Sequence, residues 1–182
     1  MEETTDVIDP PEVVGAGPLV LRRGTPGDAT QLAAAVAESL DHLAPWMPWA
    51  TPEAATVDAQ RRRLADDLWG PSDYHYLMVG GEGDIVGSCG LHRRIGPTGL
   101  EIGYWVGVRH TCRGYATAAA GALTEAAFAL PGIERVEIHC DQANVASAAV
   151  ARRLGYRLDR IEEHAIESPA QTGRFMVWIT TK

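Results

Sequence analysis

A segment near the middle of the chain has the pattern of an anion-binding turn. An apolar β-type run, Leu100 to Val108, leads through residues 109–113 into Gly114 and an alanine-rich helix. Successive backbone N–H groups at a helix N-terminus, with glycine where a side chain would block the approach, form a cradle for phosphate groups. Arg109 or Arg113 can add charge-assisted hydrogen bonds. A strand-to-helix turn that needs Gly114 only for its backbone angles explains the same pattern, so both interpretations stay open at this point.

The spacing of the other reactive residues argues against two further kinds of site. The Gly-x-x-x-x-Gly-Lys-[Ser/Thr] pattern of a P-loop phosphotransferase is absent, and no lysine lies near the loop. The histidines have no shared spacing, so no metal is assigned. Cys89, Cys112 and Cys140 form no Cys-x-x-Cys pair, which predicts neither a disulfide framework nor a zinc site and fits a reducing compartment.

The composition is typical of one globular domain. The chain has 182 residues, of which 46% are hydrophobic and 22% charged. Its net charge of −8 repels a phosphate backbone, so we expect no nucleic-acid partner, and it favours cationic substrates. No apolar run approaches the roughly 18 residues that suggest a membrane span. Residues 1–17 are acidic and lack the features of a secretion signal, which predicts a flexible tail before a single domain over residues 18–182.

The elements before the turn begin with a strand and two helices. Leu19 to Arg22 is a β-type run, and a helix capped by Asp28 is predicted to reach about Leu40. The stretch 42–49 holds two prolines and two tryptophans, which excludes a regular helix and is too apolar for a solvated loop, so we expect it to fold over something. Thr51-Pro52-Glu53 predicts the start of a second helix that ends near Gly70.

Strands dominate the remainder of the chain. Two extended runs separated by a glycine-rich reversal predict an antiparallel hairpin, and Leu100 to Val108 is apolar enough for a central strand. After the helix from Gly114 to about Leu130, the pattern predicts a strand, a capped helix and two strands. The order of elements gives a mixed α/β (α+β) fold. The predicted segments are Tyr74 to Val79, Ile85 to Arg94, Arg135 to Cys140, Asn144 to Leu154, Tyr156 to Ile166 and Phe175 to Thr180.

Two separate stretches resemble the GCN5-related N-acetyltransferase (GNAT) superfamily. The loop resembles motif A of that family, Gln/Arg-x-x-Gly-x-Gly/Ala, through Gly114 and Ala116, although Thr111 stands in place of Gln/Arg and Cys112 where many relatives carry glycine. Downstream, the segment 141–156 resembles the family's Asn-x-x-Ser and Leu-Gly-Tyr/Phe pattern. The resemblance covers Leu19 to Thr180 and implies one domain with a mostly antiparallel central sheet flanked by helices.

The surroundings of the loop resemble one branch of this family. Residues 101–106 before the loop and residues 113–117 after it look like the ribosomal-protein N-terminal acetyltransferases, the RimJ/RimL-like branch. The segment Trp46-Met47-Pro48-Trp49 is similar to the substrate-side loop of that branch. The implied activity is N-acyl transfer from acetyl-CoA, or another acyl-CoA, to a primary amine of a protein N-terminus or a small molecule by direct attack in a ternary complex.

The resemblance also implies a set of donor-binding residues. Backbone N–H groups near Val106 to Val108 are implied to meet the oxyanion that develops in acyl transfer. Asn144 is implied to bond the pantetheine arm while it caps its own helix. The full implied set is Val106, Gly107, Val108, Arg109, Thr111, Cys112, Arg113, Gly114, Tyr115, Ala116, Thr117, Asn144 and Ser147.

The implied catalytic residues are Glu101, Ser147 and Tyr156. An aliphatic amine, with a pKa near ~10, loses a proton before it attacks, usually to a carboxylate or a water that the carboxylate orients, and Glu101 is the candidate base. A carboxylate that is hydrated or ion-paired at a strand edge is the alternative for Glu101. Ser147 is the leading candidate to protonate the departing thiolate, with Tyr156 as the second. Ser147 can instead simply satisfy the first turn of its helix.

The acceptor side is predicted from aromatic residues. Tyr104 can line an acceptor pocket or pack in the core. His42, Trp46 and Trp49 can form a lid over the acceptor or fill the space between two helices. A non-catalytic acyl-CoA-binding module of the same fold remains the alternative function. We expect a cytoplasmic protein, and relatives of this kind suggest a homodimer.

Overall fold

The computed structural model describes residues 8–66, 69–70 and 72–182, and its central element is an eight-stranded sheet. The strands follow the order β1-β2-β3-β4-β5-β6-β8-β7, and every neighbouring pair is antiparallel except β5 and β6. This confirms the predicted mixed, mostly antiparallel sheet. The strands are β1 Val13–Ala16, β2 Leu19–Arg23, β3 Asp73–Val79, β4 Ile85–His92, β5 Gly99–Val106, β6 Arg135–Asp141, β7 Arg157–Glu163 and β8 Arg174–Thr181.

Among the residues that the structure describes, five α-helices flank the sheet. They are α1 Ala29–Glu38, α2 Leu40–Leu43, α3 Val57–Ala65, α4 Tyr115–Ala129 and α5 Val145–Arg153. The buried side chains of α4 and α5 form one hydrophobic cluster with the sheet, whereas those of α1 and α2 form a second cluster that includes Trp105 of β5. All eight residues of β4 are buried, because this strand lies in the middle of the sheet with helices on both sides. None of the helices among the described residues has the length and apolar character to cross a membrane.

The N-terminal part differs from the predicted tail. Val13–Ala16 form β1, which pairs with β2 across a reversal at Gly17, where φ is +60°. A strand of four residues with only one buried side chain gives a weak pattern in the sequence, which is why it was missed. Residues 1–7 of the predicted tail lie outside the described residues.

The start of α3 also differs from the prediction. The hydroxyl of Thr51 accepts from the N–H of Ala54 within a turn, whereas the helix begins after Thr56, whose hydroxyl accepts from the N–H of Ala59 at 3.3 Å. Both threonines can cap a helix, and the local pattern does not distinguish them. The first predicted helix is divided in a similar way, since Ser39 separates α1 from α2.

Strands β5 and β6 pair over only three residues at their beginnings. Gly99, Leu100 and Glu101 lie opposite Arg135, Val136 and Glu137, and no further pairs are formed between these two strands. Beyond Glu101 the two strands diverge, while β5 stays paired with β4 as far as Val106. The divergence leaves one edge of β5 without a strand partner and opens the space in which the candidate site lies.

Candidate active site

A cleft of about 1540 Å³ lies between the diverging ends of β5 and β6. Ligand pockets commonly measure about 300–1,000 Å³, so this volume is sufficient for a donor and an acceptor together. Of the residues predicted for the site, the structure brings fourteen to its walls, and these are His42, Trp46, Trp49, Glu101, Tyr104, Val106, Thr111, Cys112, Gly114, Tyr115, Ala116, Thr117, Asn144 and Ser147. Gly107, Val108, Arg109, Arg113 and Tyr156 do not line it.

The start of α4 presents unpaired amides to this cleft. The first backbone hydrogen bond of the helix runs from the N–H of Ala118 to the carbonyl of Gly114, at 2.9 Å. Among the described residues, the N–H groups of residues 112–117 have no acceptor. Such amides and the helix dipole favour a bound anion. The first turn of α4 has no acidic residue that would compete for the site.

The loop before α4 has the backbone shape of an anion-binding nest. Cys112 has φ of +60° and Gly114 has φ of +78°, and left-handed residues are typical of the nests in which successive backbone amides bind an anion. Cys112 thus adopts the conformation that glycine adopts easily, which explains why glycine is common at the matching family position. The hydroxyl of Thr111 donates to the carbonyl of Val108 at 3.0 Å, which stabilises the loop at the cleft wall.

The two arginines predicted for the phosphates lie elsewhere. Arg109 is exposed and forms an ion pair with Glu38 at 2.9 Å, and Arg113 is exposed away from the cleft wall. Arg153, at the end of α5, does line the cleft. Arg153 directly precedes the Leu-Gly-Tyr segment in the sequence, but nothing in its spacing indicated that the helix would direct it to this wall.

Two of the three predicted oxyanion donors have other acceptors. The N–H of Gly107 donates to the carbonyl of Val86 at 2.8 Å, and the N–H of Val108 donates to Oγ of Ser39 at 3.1 Å. Because N–H groups alternate between the two edges of a strand, the N–H groups of Val106 and Tyr104 point to the edge opposite β4, where the cleft lies. Val106 is therefore the residue of this group that can donate to a bound carbonyl.

Two hydroxyl groups meet on the cleft wall. The Tyr104 hydroxyl lies 2.9 Å from Oγ of Ser147, and the Ser147 N–H donates to the side chain of Asn144, which caps α5. Burial raises the pKa of Tyr104 well above its ordinary value, even though the Ser147 bond acts in the opposite direction. The phenol therefore stays protonated and can act as a hydrogen-bond donor.

Tyr156 lies apart from this pair. It is buried beneath α4, and its hydroxyl lies 2.7 Å from Oγ1 of Thr124. Burial raises its pKa to about 12. The geometry favours Tyr104 over Tyr156 as the second hydroxyl of the site, because the glycine turn that ends α5 directs Tyr156 inwards. From the sequence, Tyr104 could either line the acceptor pocket or pack in the core, because the alternation of side chains along a strand does not show which face is buried.

Glu101 lies at the closed end of the cleft in a two-point ion pair. Nε and Nη2 of Arg94 donate to its two carboxylate oxygens at 2.7 and 2.6 Å. The side chain of Glu101 is 9% exposed, so burial acts to raise its pKa, but the Arg94 hydrogen bonds and the charge of His139 outweigh burial and hold the pKa below its ordinary value. A lowered pKa weakens Glu101 as a proton acceptor and favours a charge-binding role.

His139, for which the sequence analysis indicated no role in the site, lines the cleft beside Glu101. Its Nδ1 lies 3.6 Å from Oε2 of Glu101, and its Nε2 lies 2.6 Å from Oε2 of Glu137. Glu137 is 1% exposed and also lies 2.9 Å from Nε of Arg135. The parallel pairing of Glu101 with Glu137 creates this charged group, and only the tertiary structure establishes that pairing.

The aromatic segment after α2 forms part of the acceptor-side wall. The rings of Trp49 and Trp105 are 5.8 Å apart, and Trp46 is half-buried in the cleft wall. The loop between β7 and β8 reaches this segment, because Ala170 donates to the carbonyl of Pro45 and Gln171 donates to that of Trp46. The aromatic segment is therefore linked to this loop by hydrogen bonds and lies in the cleft wall.

Asp141 holds the end of β6 to this same loop. Its carboxylate accepts from the N–H groups of Ala143, Thr172 and Gly173 and from the Thr172 hydroxyl. Burial acts to raise its pKa, but these hydrogen bonds lower it below the ordinary value. One side chain thereby fixes both the turn that carries Asn144 and the loop that carries Gln171.

A group of potential metal ligands lies outside the cleft lining. The donor atoms of Asp73, His75 and His92 lie within 4.8 Å of one another, although no spacing in the sequence connected the two histidines. Burial, the neighbouring His92 and the guanidinium of Arg63 lower the pKa of His75 to about 4. The positive charge of Arg63 also opposes a cation at this position, and His92 is already paired with Asp73 at 2.5 Å.

Comparison with known proteins connects this geometry to one chemistry. The family model described as "Acetyltransferase (GNAT) domain" matches residues 18–157. A comparison with curated protein sequences gave no match.

Solved structures with the same fold include several acetyltransferases. RimJ of Mycobacterium smegmatis, solved in complex with a CoA disulfide, has a TM-score of 0.84 at 22% identity over 96% of this chain and 90% of that chain. RimL, a ribosomal L7/L12 α-N-protein acetyltransferase solved with coenzyme A, has a TM-score of 0.82 at 20% identity over 93% and 98%. The microcin C7 self-immunity acetyltransferase MccE, solved with acetyl-CoA and AMP, has a TM-score of 0.82 at 17% identity over 91% and 93%. At these identities the likeness shows a shared fold.

Proposed function

Because this chain belongs to the GNAT acetyltransferase family, we propose that it transfers an acetyl group from acetyl-CoA to a primary amine within a ternary complex. The observation that carries the proposal is the set of unpaired amides at the start of α4, which face a cleft formed where β5 and β6 separate. These amides suit the pyrophosphate of coenzyme A. The diverging strands leave room for an extended arm that leads towards Glu101.

The donor is proposed to lie along the wall formed by β5, the α4 loop and α5. Gly114 to Thr117 would hold the phosphates through their amides, and Arg153 would add a positive charge from α5. The carboxamide of Asn144 has its oxygen engaged as the α5 cap, which leaves its NH₂ group for the pantetheine arm. Bound acetyl-CoA supplies the activated thioester that the amine attacks.

The residues around the proposed thioester position divide the chemical tasks. The Val106 N–H would stabilise negative charge on the carbonyl oxygen, because it points to the open edge of β5. Ser147, with Tyr104 beside it, would deliver a proton to the departing sulfur. Glu101, predicted from the sequence as the base, would attract the cationic acceptor amine towards the polar group around Arg94 and His139.

The acceptor is proposed to be the N-terminal amine of a protein or a small-molecule amine. The net charge of −8 favours cationic acceptors. The fold likeness to RimL, a ribosomal L7/L12 α-N-protein acetyltransferase, supports the protein-terminus class. We further propose a cytoplasmic setting and a homodimer, with no nucleic-acid partner.

A thiol-release assay tests the proposal. Acetyl-CoA and succinyl-CoA are supplied with a panel of amines that includes short peptides with free N-termini, polyamines and amino acids, and CoA thiol is followed over time. We expect acetyl-CoA turnover that depends on the amine and falls in Ser147→Ala, with Tyr156→Phe as the control because that hydroxyl lies away from the cleft. Binding of acetyl-CoA without turnover on any amine would instead establish the non-catalytic binding module.

A further inference from the structure

His139 has a different environment at each ring nitrogen. Nε2 lies 2.6 Å from the buried carboxylate of Glu137, and Nδ1 is directed towards the cleft and the carboxylate of Glu101, at 3.6 Å. The side chain is 20% exposed and lines the cleft. A buried acid at one nitrogen and a second carboxylate of the cleft wall near the other is an arrangement in which an imidazole is held ready for proton transfer.

We propose that His139 is the general base that takes the proton from the acceptor ammonium and that Glu137 is the residue that positions its ring. This inference rests on the proposed function and assigns one step of it. It shifts the base function, predicted for Glu101, to the neighbouring strand.

The hydrogen bond to Glu137 determines which nitrogen is free. An ionised carboxylate only accepts hydrogen bonds, so the hydrogen of a neutral imidazole lies on Nε2. Nδ1 then presents its lone pair towards the cleft. Glu137 is also held in place by Arg135, whose Nε lies 2.9 Å from its Oε1.

Glu101 is less suited to accept the proton, for two reasons. Both of its oxygens are engaged by Arg94, and this pairing stabilises the ionised form. An imidazole, with an ordinary pKa of about 6.5, is also a stronger base than a carboxylate at about 4.3. Glu101 instead lies where it can bind the incoming ammonium and then stabilise the imidazolium, because 3.6 Å between Oε2 and Nδ1 allows one ammonium to contact both atoms.

The proton count is balanced. The ammonium gives one proton to Nδ1 of His139, and the neutral nitrogen forms a bond to the carbonyl carbon as the C–S bond breaks. The nitrogen loses a second proton, which reaches the departing sulfur through the Tyr104 and Ser147 hydroxyls. The first proton leaves His139 to water, so that each turnover yields an amide, CoA thiol and one proton.

Two acceptor amines with different protonation states distinguish a general base from a residue that has only a structural role. His139→Gln is assayed with a short peptide whose α-amine is protonated near neutral pH and with hydroxylamine, which is already neutral there. We expect kcat/KM for the peptide to fall by about 10²–10⁴-fold, the usual contribution of general-base catalysis, and kcat/KM for hydroxylamine to fall by less than about 10-fold. The KM for acetyl-CoA should not change.

Two further variants complete the test. Glu137→Gln should produce a smaller loss than His139→Gln, again selective for the peptide. His75→Gln, the same substitution at a histidine outside the cleft lining, should leave both acceptors unaffected. Equal losses with both acceptors, or no loss with either, would overturn the role of His139 while leaving the acetyltransferase intact. A wild-type protein that acetylates no amine would refute the proposed function, and this inference with it.

Discussion

The phenol of Tyr104 lies 2.9 Å from Oγ of Ser147 and links the middle of β5 to the first turn of α5. The two residues are 43 positions apart in the chain and belong to the two walls of the cleft. Asn144 caps α5 at the N–H of Ser147, so the position of the serine follows from the start of its helix. A proton that leaves either hydroxyl can be replaced from the other.

This relationship predicts a non-additive pair of substitutions. Tyr104→Phe and Ser147→Ala should each lower kcat by about 10–10²-fold, since each interrupts the same proton path. The double variant should be little slower than the slower single variant, because groups that act as a unit do not contribute independently. Steady-state kinetics of the four proteins measure the coupling. Fully multiplicative losses would show that the two hydroxyls act separately.

Because Gly114 belongs to the nest before α4, replacing it with alanine is expected to weaken the binding of acetyl-CoA. Gly114→Ala places a Cβ on a residue with φ of +78°, which costs about 1–2 kcal/mol and shifts the amides that face the donor. We expect the Kd for acetyl-CoA, measured by calorimetry, to rise about 10-fold or more. Gly132→Ala is the matched control, because Gly132 has φ of +74° just beyond the other end of α4. The control should lose similar stability and keep its affinity.

The pairing of Glu101 with Arg94 predicts a pH-dependent contribution to stability. The folded pKa of Glu101 is lowered, so the ionised side chain stabilises the fold at pH values above the unfolded pKa of about 4.3. This contribution is lost as the pH falls through the folded pKa. Glu101→Gln should therefore lower the free energy of unfolding by about 1–3 kcal/mol at pH 7, and the difference from wild type should shrink towards pH 3.

Urea unfolding at both pH values measures that difference, with the exposed Glu53→Gln as the control. A difference that is the same at pH 7 and pH 3 would contradict the assigned cause.

The hydrogen bonds of Asp141 predict that the loop between β7 and β8 and the turn before α5 are structurally linked. Asp141→Asn removes the charge that accepts four hydrogen bonds from residues 143, 172 and 173, and should cost about 1–3 kcal/mol. Hydrogen exchange should accelerate in residues 164–173 and in residues 142–147 together. Faster exchange in only one of these segments would show that Asp141 does not connect them.

Local sequence patterns predicted the elements that depend on neighbouring residues. The glycine before α4, the Asn144 cap and the end of α5 near Leu154 are each decided within a few residues of the chain, and the structure has all three. The order of most strands and helices followed in the same way. Thr51 and Thr56 mark the limit of this approach, because two adequate caps lie five residues apart and only the structure shows that the helix begins after the second.

Only the tertiary structure decided how the site is assembled. The short pairing of β5 with β6 sets the cleft, leaves the edge of β5 at Val106 open to it, and brings Glu101 close to Glu137 and His139, which lie more than 35 positions further along the chain. Strand alternation alone gives no absolute direction for a side chain, so the sequence left Glu101 and Tyr104 with two possible roles each and did not indicate that His139 faces the cleft. Pairing across the sheet removes that ambiguity, because it fixes which face each strand presents and which charges must neutralise one another.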